Sequence, residues 1–125
     1  MSKLEALPKD QLSSTPSTPG LTRYLAFKDE NHMVIRSVAE PGTVSGWHHH
    51  GDHEVYGYVV SGTLRLENGE DKKNTITVGS GDYFHVPANT IHRELNPSSK
   101  ERGEVILFLP GSGPLVVNVE VPNQI

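Results

Sequence analysis

The sequence contains no cysteine among its 125 residues. This absence excludes disulfides, catalytic thiolates, iron–sulfur clusters and zinc–thiolate sites, so a metal ion has to be held by imidazole nitrogens and oxygen atoms. Apolar runs are also short, and none approaches the ~20 residues that a membrane-spanning helix requires. The formal net charge of −4 argues against the basic surface that nucleic-acid binding needs. We therefore expect neither nucleic acid nor a membrane as a partner.

The N-terminal residues do not have the composition of a secretion signal. They carry acidic residues and no long apolar core, so we expect a cytoplasmic protein. Residues 13–20 are rich in Ser, Thr and Pro and offer few side chains for a core. We predict an N-terminal arm over residues 1–20, either flexible or lying on a partner subunit, and a single folded domain over residues 21–125.

From residue 21 onward the pattern indicates β-structure. Short apolar, β-branched and aromatic stretches alternate with Gly, Pro, Asn and Asp, and no stretch shows the 3.6-residue period of a helix. About ten short strands at regular spacing favour an all-β sandwich or barrel. The predicted strands cover residues 22–27, 33–38, 46–50, 55–60, 63–67, 74–78, 83–86, 92–96, 105–109 and 115–121.

Histidine is frequent, with seven in the chain. In a strand, residues i and i+2 face the same side, so His48 and His50 can direct two imidazoles at one point while His49 points away. A tight turn around Asn89, a residue type that tolerates the left-handed conformation, leads into His92 at the start of the next strand. Three neutral imidazoles suit a divalent transition metal ion. The alternative is that the histidine-rich segment is only a solvated turn.

Two segments carry a resemblance to a known family. Residues 42–62 resemble the first cupin motif, G-x5-H-x-H-x3,4-E-x6-G, and residues 81–96 resemble the second, G-x5-P-x-G-x2-H-x3-N. The matching residues are Gly42, His48, His50, Gly62, Gly81, Pro87, His92 and Asn96, with Asn89 in a glycine place. The resemblance implies a single-domain cupin fold, a jelly-roll-like antiparallel barrel (double-stranded β-helix). It also implies one divalent transition metal ion (Fe, Mn, Ni, Cu or Zn) held by His48, His50 and His92.

The glutamate of the first motif is a departure from the pattern. Counted back from Gly62, the glutamate of the motif should stand seven residues earlier, where this sequence has Val55. Counted forward from His50 with three residues between, the glutamate place is Glu54. Three interpretations follow: Glu54 ligates the metal through a β-bulge, the site has three histidines only, or His53 turns inward as a fourth ligand. We include Glu54 with the three histidines in the predicted ligand set.

Several other polar and aromatic residues have expected roles. His85 is either a group that contacts substrate or an ordinary strand residue, and Arg93 and Glu94 are interpreted as a solvent-side or inter-strand pair. Asn96 is expected to fix a turn through side-chain to backbone hydrogen bonds. An apolar pocket beside the metal is expected to be lined by Tyr56, Tyr58, Phe84 and Phe108.

The resemblance implies two alternative functions. In the first, a metal with open coordination positions acts on a small organic substrate, by dioxygenase-like oxidation or as a Lewis acid in isomerisation or decarboxylation. In the second, the protein is a non-catalytic sensor that binds a small molecule or a metal and works with a partner chain. Small barrels leave sheet edges that need covering, so we also expect a homodimer formed by sheet-to-sheet packing or edge pairing.

Overall fold

The computed structural model describes residues 2–120, so the last residue of the strand predicted over 115–121 lies outside the described part. The described residues form eleven strands and one 3-10 helix, Lys9–Gln11. In chain order the strands are β1 Ser13–Ser14, β2 Thr22–Lys28, β3 His32–Ala39, β4 His48–His49, β5 Val55–Ser61, β6 Thr63–Asn68, β7 Thr75–Gly79, β8 Tyr83–Val86, β9 His92–Leu95, β10 Gly103–Pro110 and β11 Val117–Asn118. Within residues 2–120 we find no helix with the length and hydrophobicity of a transmembrane segment.

The strands build two antiparallel sheets that face each other. The first sheet has the order β1-β2-β3-β10-β5-β8, and the second has the order β11-β4-β9-β6-β7. Their inward side chains meet in one apolar core, formed by Met33, Ile35, Val55, Val59, Leu64, Leu66, Val78, Phe84, Val86, Val105, Leu107, Leu109 and Leu115. The predicted all-β, jelly-roll-like barrel is confirmed.

Strand β5 shows how the two-residue period of the sequence sets the faces of the barrel. Val55, Gly57 and Val59 are buried in the core, and the residues between them face outward. Gly57 is paired across the sheet with Phe84 on β8. The Phe84 ring fills the space that a side chain at position 57 would take, since a Cβ placed there would collide with its Cζ atom. The glycine is therefore required by packing, not by a turn.

The segment predicted as an N-terminal arm contacts the barrel of its own chain. Strand β1 pairs with β2 in the register Ser13↔Leu25, and Thr18 is fully buried. The carbonyl oxygen of Pro19 accepts a hydrogen bond of 3.0 Å from the amide of Gly46. These contacts attach residues 13–19 to the barrel, while the division of the chain at residue 20 stays a prediction.

Two asparagines shape the turns on either side of β9, the strand that begins with His92. Asn89 has φ of 58°, the left-handed conformation expected for it in the glycine place of the motif. The buried amide of Asn96 donates to the carbonyl oxygens of Ala39 at 3.0 Å and Glu101 at 2.8 Å, as expected for a residue that fixes a turn. These turns set where β9 begins and ends, and hence where His92 lies.

Candidate metal centre

Three of the predicted ligands lie together inside the barrel. His48 on β4 is the direct cross-strand partner of His92 on β9, and His50 lies two residues beyond His48 on the same side. All three are buried, and one ring nitrogen from each lies within 4.8 Å of those of the other two. The ring centroids are 4.3 to 5.2 Å apart. Strand alternation thus brings together the histidines at positions 48, 50 and 92, as the spacing predicted.

Backbone carbonyl groups orient all three rings in the same way. Each Nδ1–H donates a hydrogen bond of 2.8 to 2.9 Å, from His48 to Gly46, from His50 to Leu115 and from His92 to Thr90. A carbonyl oxygen can only accept, so each Nδ1 carries the proton and each neutral ring presents its lone pair on Nε2. Such contacts fix the tautomer and the orientation of metal-bound histidines. The three imidazoles are therefore arranged as Nε2 donors toward one point.

The site favours neutral imidazoles. Burial, followed by the neighbouring imidazoles of the site, lowers the pKa of His50 to about 3. Burial and the proximity of His48 lower the pKa of His92 to about 4. Both rings therefore keep their Nε2 lone pairs at neutral pH, when they are needed to bind a metal ion.

A buried carboxylate, Glu94, lies beside the three-histidine cluster. Its Oε2 lies 3.1 Å from Nε2 of His48. Burial alone would raise the pKa of Glu94, but the contact with His48 and the proximity of His92 and Arg23 together hold this pKa well below its usual range. Nε2 of His48 thus faces both this carboxylate and, at 3.3 Å, Nη2 of Arg23. The three imidazoles form a donor set that fits a first-row divalent transition metal ion, and the Glu94 carboxylate lies next to one of them.

The same-face rule that placed His48 and His50 together also applies to Glu94, which is two residues after His92 on β9. Arg93 and Glu94 were expected to form a solvent-side or inter-strand pair. Only Arg93 faces outward, where its Nε donates to Glu67 on β6 at 2.7 Å and its guanidinium stacks on Trp47. The inter-strand pair thus exists, but the acidic partner is Glu67.

Glu54, the predicted fourth ligand, is not brought to the histidines. Its carboxylate pairs with Nε2 of His85 at 2.6 Å and accepts a 2.8 Å hydrogen bond from the amide of Ala88. The expected β-bulge does exist, but it lies at the end of β5, where the register against β10 shifts by one residue around Val60. Regular alternation up to that point turns Val55 inward and Glu54 away from the core. We therefore take Glu94, not Glu54, forward as the carboxylate beside the metal site.

The other two histidines of the segment also face away from the site. His53 is buried, but its Nδ1 donates to the carbonyl oxygen of Pro110 at 2.9 Å. Its Nε2 lies 3.3 Å from the carbonyl oxygen of Gly113. His49 accepts a hydrogen bond from the amide of Gly51. The structure brings neither of these rings to the three-histidine cluster.

The predicted aromatic walls of the site are mostly elsewhere. Tyr56, Tyr58 and Phe108 lie on the outer face of the first sheet, and Phe84 belongs to the core. Instead, the ring of His92 borders a pocket of about 100 Å³ whose other lining residues are Leu66, Asn68, Asn74, Ile76, His85, Val86, Pro87 and Thr90. His85 thus reaches a cavity next to a metal-site histidine, although it lies on an outward position of β8.

Comparison with known proteins agrees with this architecture. The family model of the cupin domain matches residues 36–110. Quercetin 2,3-dioxygenase of Escherichia coli is 34% identical over 84 residues, which are 67% of this chain and 35% of that protein. The chain therefore spans about a third of the length of the curated relative that it matches.

Solved structures extend the likeness over nearly the whole chain. The polyketide cyclase RemF from Streptomyces resistomycificus has a TM-score of 0.75 at 17% identity, over 98% of this chain and 92% of that one. KdgF from a Halomonas species has a TM-score of 0.70 at 21% identity, over 89% of this chain and 96% of that one. At these identities the likeness shows the fold alone. Together with the family match and the three-histidine site, it establishes that the chain belongs to the cupin family.

Proposed function

We propose that this cupin is an enzyme that uses a single divalent metal ion, held by His48, His50 and His92, to transform a small organic molecule. The observation that carries the proposal is the set of three Nε2 donors, each oriented by a backbone carbonyl, with a buried carboxylate beside that of His48. A metal ion in such a site binds and polarises oxygen-containing ligands, and a redox-active one also supports reaction with oxygen. The proposed reactions are dioxygenase-like oxidation or Lewis-acid isomerisation or decarboxylation.

The ligand types leave the metal open among Fe, Mn, Ni, Cu and Zn. The resemblance to a quercetin 2,3-dioxygenase supports oxygen chemistry, although it covers only part of that protein. The pocket beside His92 bears on substrate size, because its volume of about 100 Å³ is well below the ~300 Å³ at which drug-sized ligand sites begin. This supports a substrate of few heavy atoms.

The proposal is tested by metal content and turnover together. Protein loaded in turn with each of the five metals is assayed for oxygen consumption and product formation against a panel of small hydroxy acids, keto acids and diketones. We expect one metal ion per chain and turnover with at least one metal. His92→Ala should lose both, because it removes an Nε2 donor, whereas His49→Ala should keep both. Tight binding of a panel compound without turnover under any condition would favour the sensor alternative.

We further propose that the protein is a homodimer that works in the cytoplasm. The support for the dimer is the outer face of the first sheet, where Tyr56, Tyr58, Tyr83 and Phe108 are 48%, 38%, 77% and 42% exposed. Four aromatic side chains exposed to this extent present roughly 400 Å² of mostly apolar surface. A standard interface buries about 800 Å² per partner, so this patch supplies about half of one and its surroundings supply the rest. The proposed partner is a second copy that packs the same face against this one.

A further inference from the structure

A buried guanidinium lies beside the metal site and has no role in the proposal so far. Arg23, on β2, is 2% exposed. Its Nη1 donates to Thr18 Oγ1 at 2.9 Å, and its Nη2 lies 3.3 Å from Nε2 of His48. Its Nε has no hydrogen-bond partner among the described residues. The side chain thus enters the barrel from the first sheet and points at the atom that is to bind the metal.

This arrangement is not that of an ordinary structural ion pair. A buried charge costs several kcal/mol unless it is well paired, and arginine pairs best through two parallel hydrogen bonds to one carboxylate. Arg36 makes such a pair with Glu104, at 2.9 and 3.0 Å, on the outer face of the same sheet. Arg23 instead stays 3.9 Å from Glu94, beyond hydrogen-bond distance. Most of its donors are left for something else.

Metal binding removes one of the contacts that Arg23 does have. Because Nδ1 of His48 donates to the backbone, the metal ion has to take the lone pair of Nε2, which Nη2 of Arg23 now faces. The freed N–H, together with the unpartnered Nε–H, then needs other acceptors in the buried interior. The Glu94 carboxylate can accept some of the hydrogen bonds from these N–H groups, and an oxygen atom of a bound ligand can accept the others.

The charges of the site point to the kind of ligand. A divalent ion, three neutral imidazoles, the Glu94 carboxylate and the Arg23 guanidinium sum to a formal charge of +2 (2 − 1 + 1). In a buried site this excess favours an anion. We propose that Arg23 is the specificity-determining residue of the metal site and binds the carboxylate of a small organic acid whose other oxygen binds the metal. This inference rests on the proposed metal site and adds the class of its substrate.

The test measures ligand binding, not turnover, on cobalt(II)-loaded protein, whose visible absorption reports the ligands of the metal. Two probes are titrated: malonate, a chelating dicarboxylate, and imidazole, a neutral ligand that needs only an open coordination position. In Arg23→Gln, we expect malonate to bind about tenfold to a hundredfold more weakly, since a hydrogen bond to a charged group is lost. Imidazole binding should change less than twofold. Arg23→Lys, which keeps the charge but not the fork, should recover part of the malonate affinity.

A second variant covers the case in which Arg23→Gln does not fold. Thr18→Val keeps the shape of the side chain but removes the hydroxyl that accepts from Nη1 of Arg23. This variant should weaken the binding of malonate and leave that of imidazole unchanged. The inference is overturned if malonate affinity is unchanged, or if both probes weaken equally, in the variants that fold. If the unaltered protein binds no cobalt, the metal site itself fails. Normal cobalt binding with no selective loss of malonate affinity in the variants overturns only the role of Arg23.

Discussion

Lowering the pH from 7 to 5 should destabilise the metal-free protein, because His50 and His92 are buried as neutral imidazoles. Their pKa values of about 3 and about 4 in the folded protein lie below 6.5, the ordinary pKa of an imidazole, which applies to the unfolded chain. The stabilising contribution of each ring is therefore fully present above pH 6.5. It is lost as the pH falls toward the folded pKa, because the unfolded chain takes up protons that the folded protein cannot.

The size of the loss follows from the same values. At pH 5 the unfolded chain is 1.5 pH units below the imidazole pKa, and at 1.36 kcal/mol per unit each ring costs about 2 kcal/mol. The two rings together give about 4 kcal/mol, a large part of the roughly 5–15 kcal/mol that stabilises a typical domain. Glu94 contributes little in this window. The stabilisation from a carboxylate with a lowered pKa begins to be lost only when the pH falls to about its unfolded pKa of 4.5.

The assay is urea unfolding of chelator-treated protein at several pH values between 5 and 7. We expect the free energy of unfolding to fall smoothly over this range, and His50→Gln and His92→Gln should each remove about half of the fall. Raising the salt concentration should not change the slope, because buried groups are screened far less than surface charges. A loss below about 1 kcal/mol, or a slope in both variants equal to that of the unaltered protein, would refute the reasoning.

Two further predictions concern packing and assembly. Gly57→Ala should lower the free energy of unfolding by about 1–3 kcal/mol, because the new methyl group collides with the buried ring of Phe84. The control Gly79→Ala, whose methyl group would meet nothing closer than 3.9 Å, should change it by less than about 0.5 kcal/mol. Tyr83→Glu should convert the proposed dimer to monomers by placing a charge in the interface. Light scattering at micromolar concentration checks this, and a monomer before substitution contradicts the dimer.

The three histidines could be located from sequence because two local rules and the resemblance to the cupin motifs point to the same residues. The i, i+2 period of a strand puts His48 and His50 on one face, and the left-handed turn at Asn89 leads directly to His92. Both rules use only neighbours in the chain. That His92 meets His48 and His50 was implied by the resemblance to the second cupin motif.

The remaining parts of the site depend on distant contacts. Whether Glu54 or Val55 faces inward is decided by a bulge near Val60, which is visible only in the pairing of β5 with β10. Arg23 precedes His48 by 25 residues and reaches it from the opposite sheet. Arginine is normally exposed, so nothing in its local sequence marks it as buried. The carbonyl of Leu115 that orients His50 is likewise 65 residues away.

The place of Glu54 in the first motif still connects it to the site through the turn before β9. Its carboxylate holds the amide of Ala88 and the ring of His85, and the same turn continues to Thr90, whose carbonyl orients His92. Glu54 thus supports the position of His92 without reaching the metal.

Glutamine and alanine at position 54 therefore distinguish support from ligation. Glu54→Gln keeps an oxygen that can accept from Ala88, so we expect metal content and metal affinity close to those of the unaltered protein. Glu54→Ala removes that acceptor and should weaken metal affinity severalfold. A residue that hydrogen-bonds directly to a metal ligand typically contributes a factor of about 10–100 to metal affinity. Glu54 does not contact His92 and acts through the turn, so its effect should be smaller. Both variants are compared with Glu94→Gln by metal analysis after dialysis. If Glu54→Gln lost its metal while Glu94→Gln kept it, Glu54 would be the ligand and the assignment of Glu94 would be withdrawn.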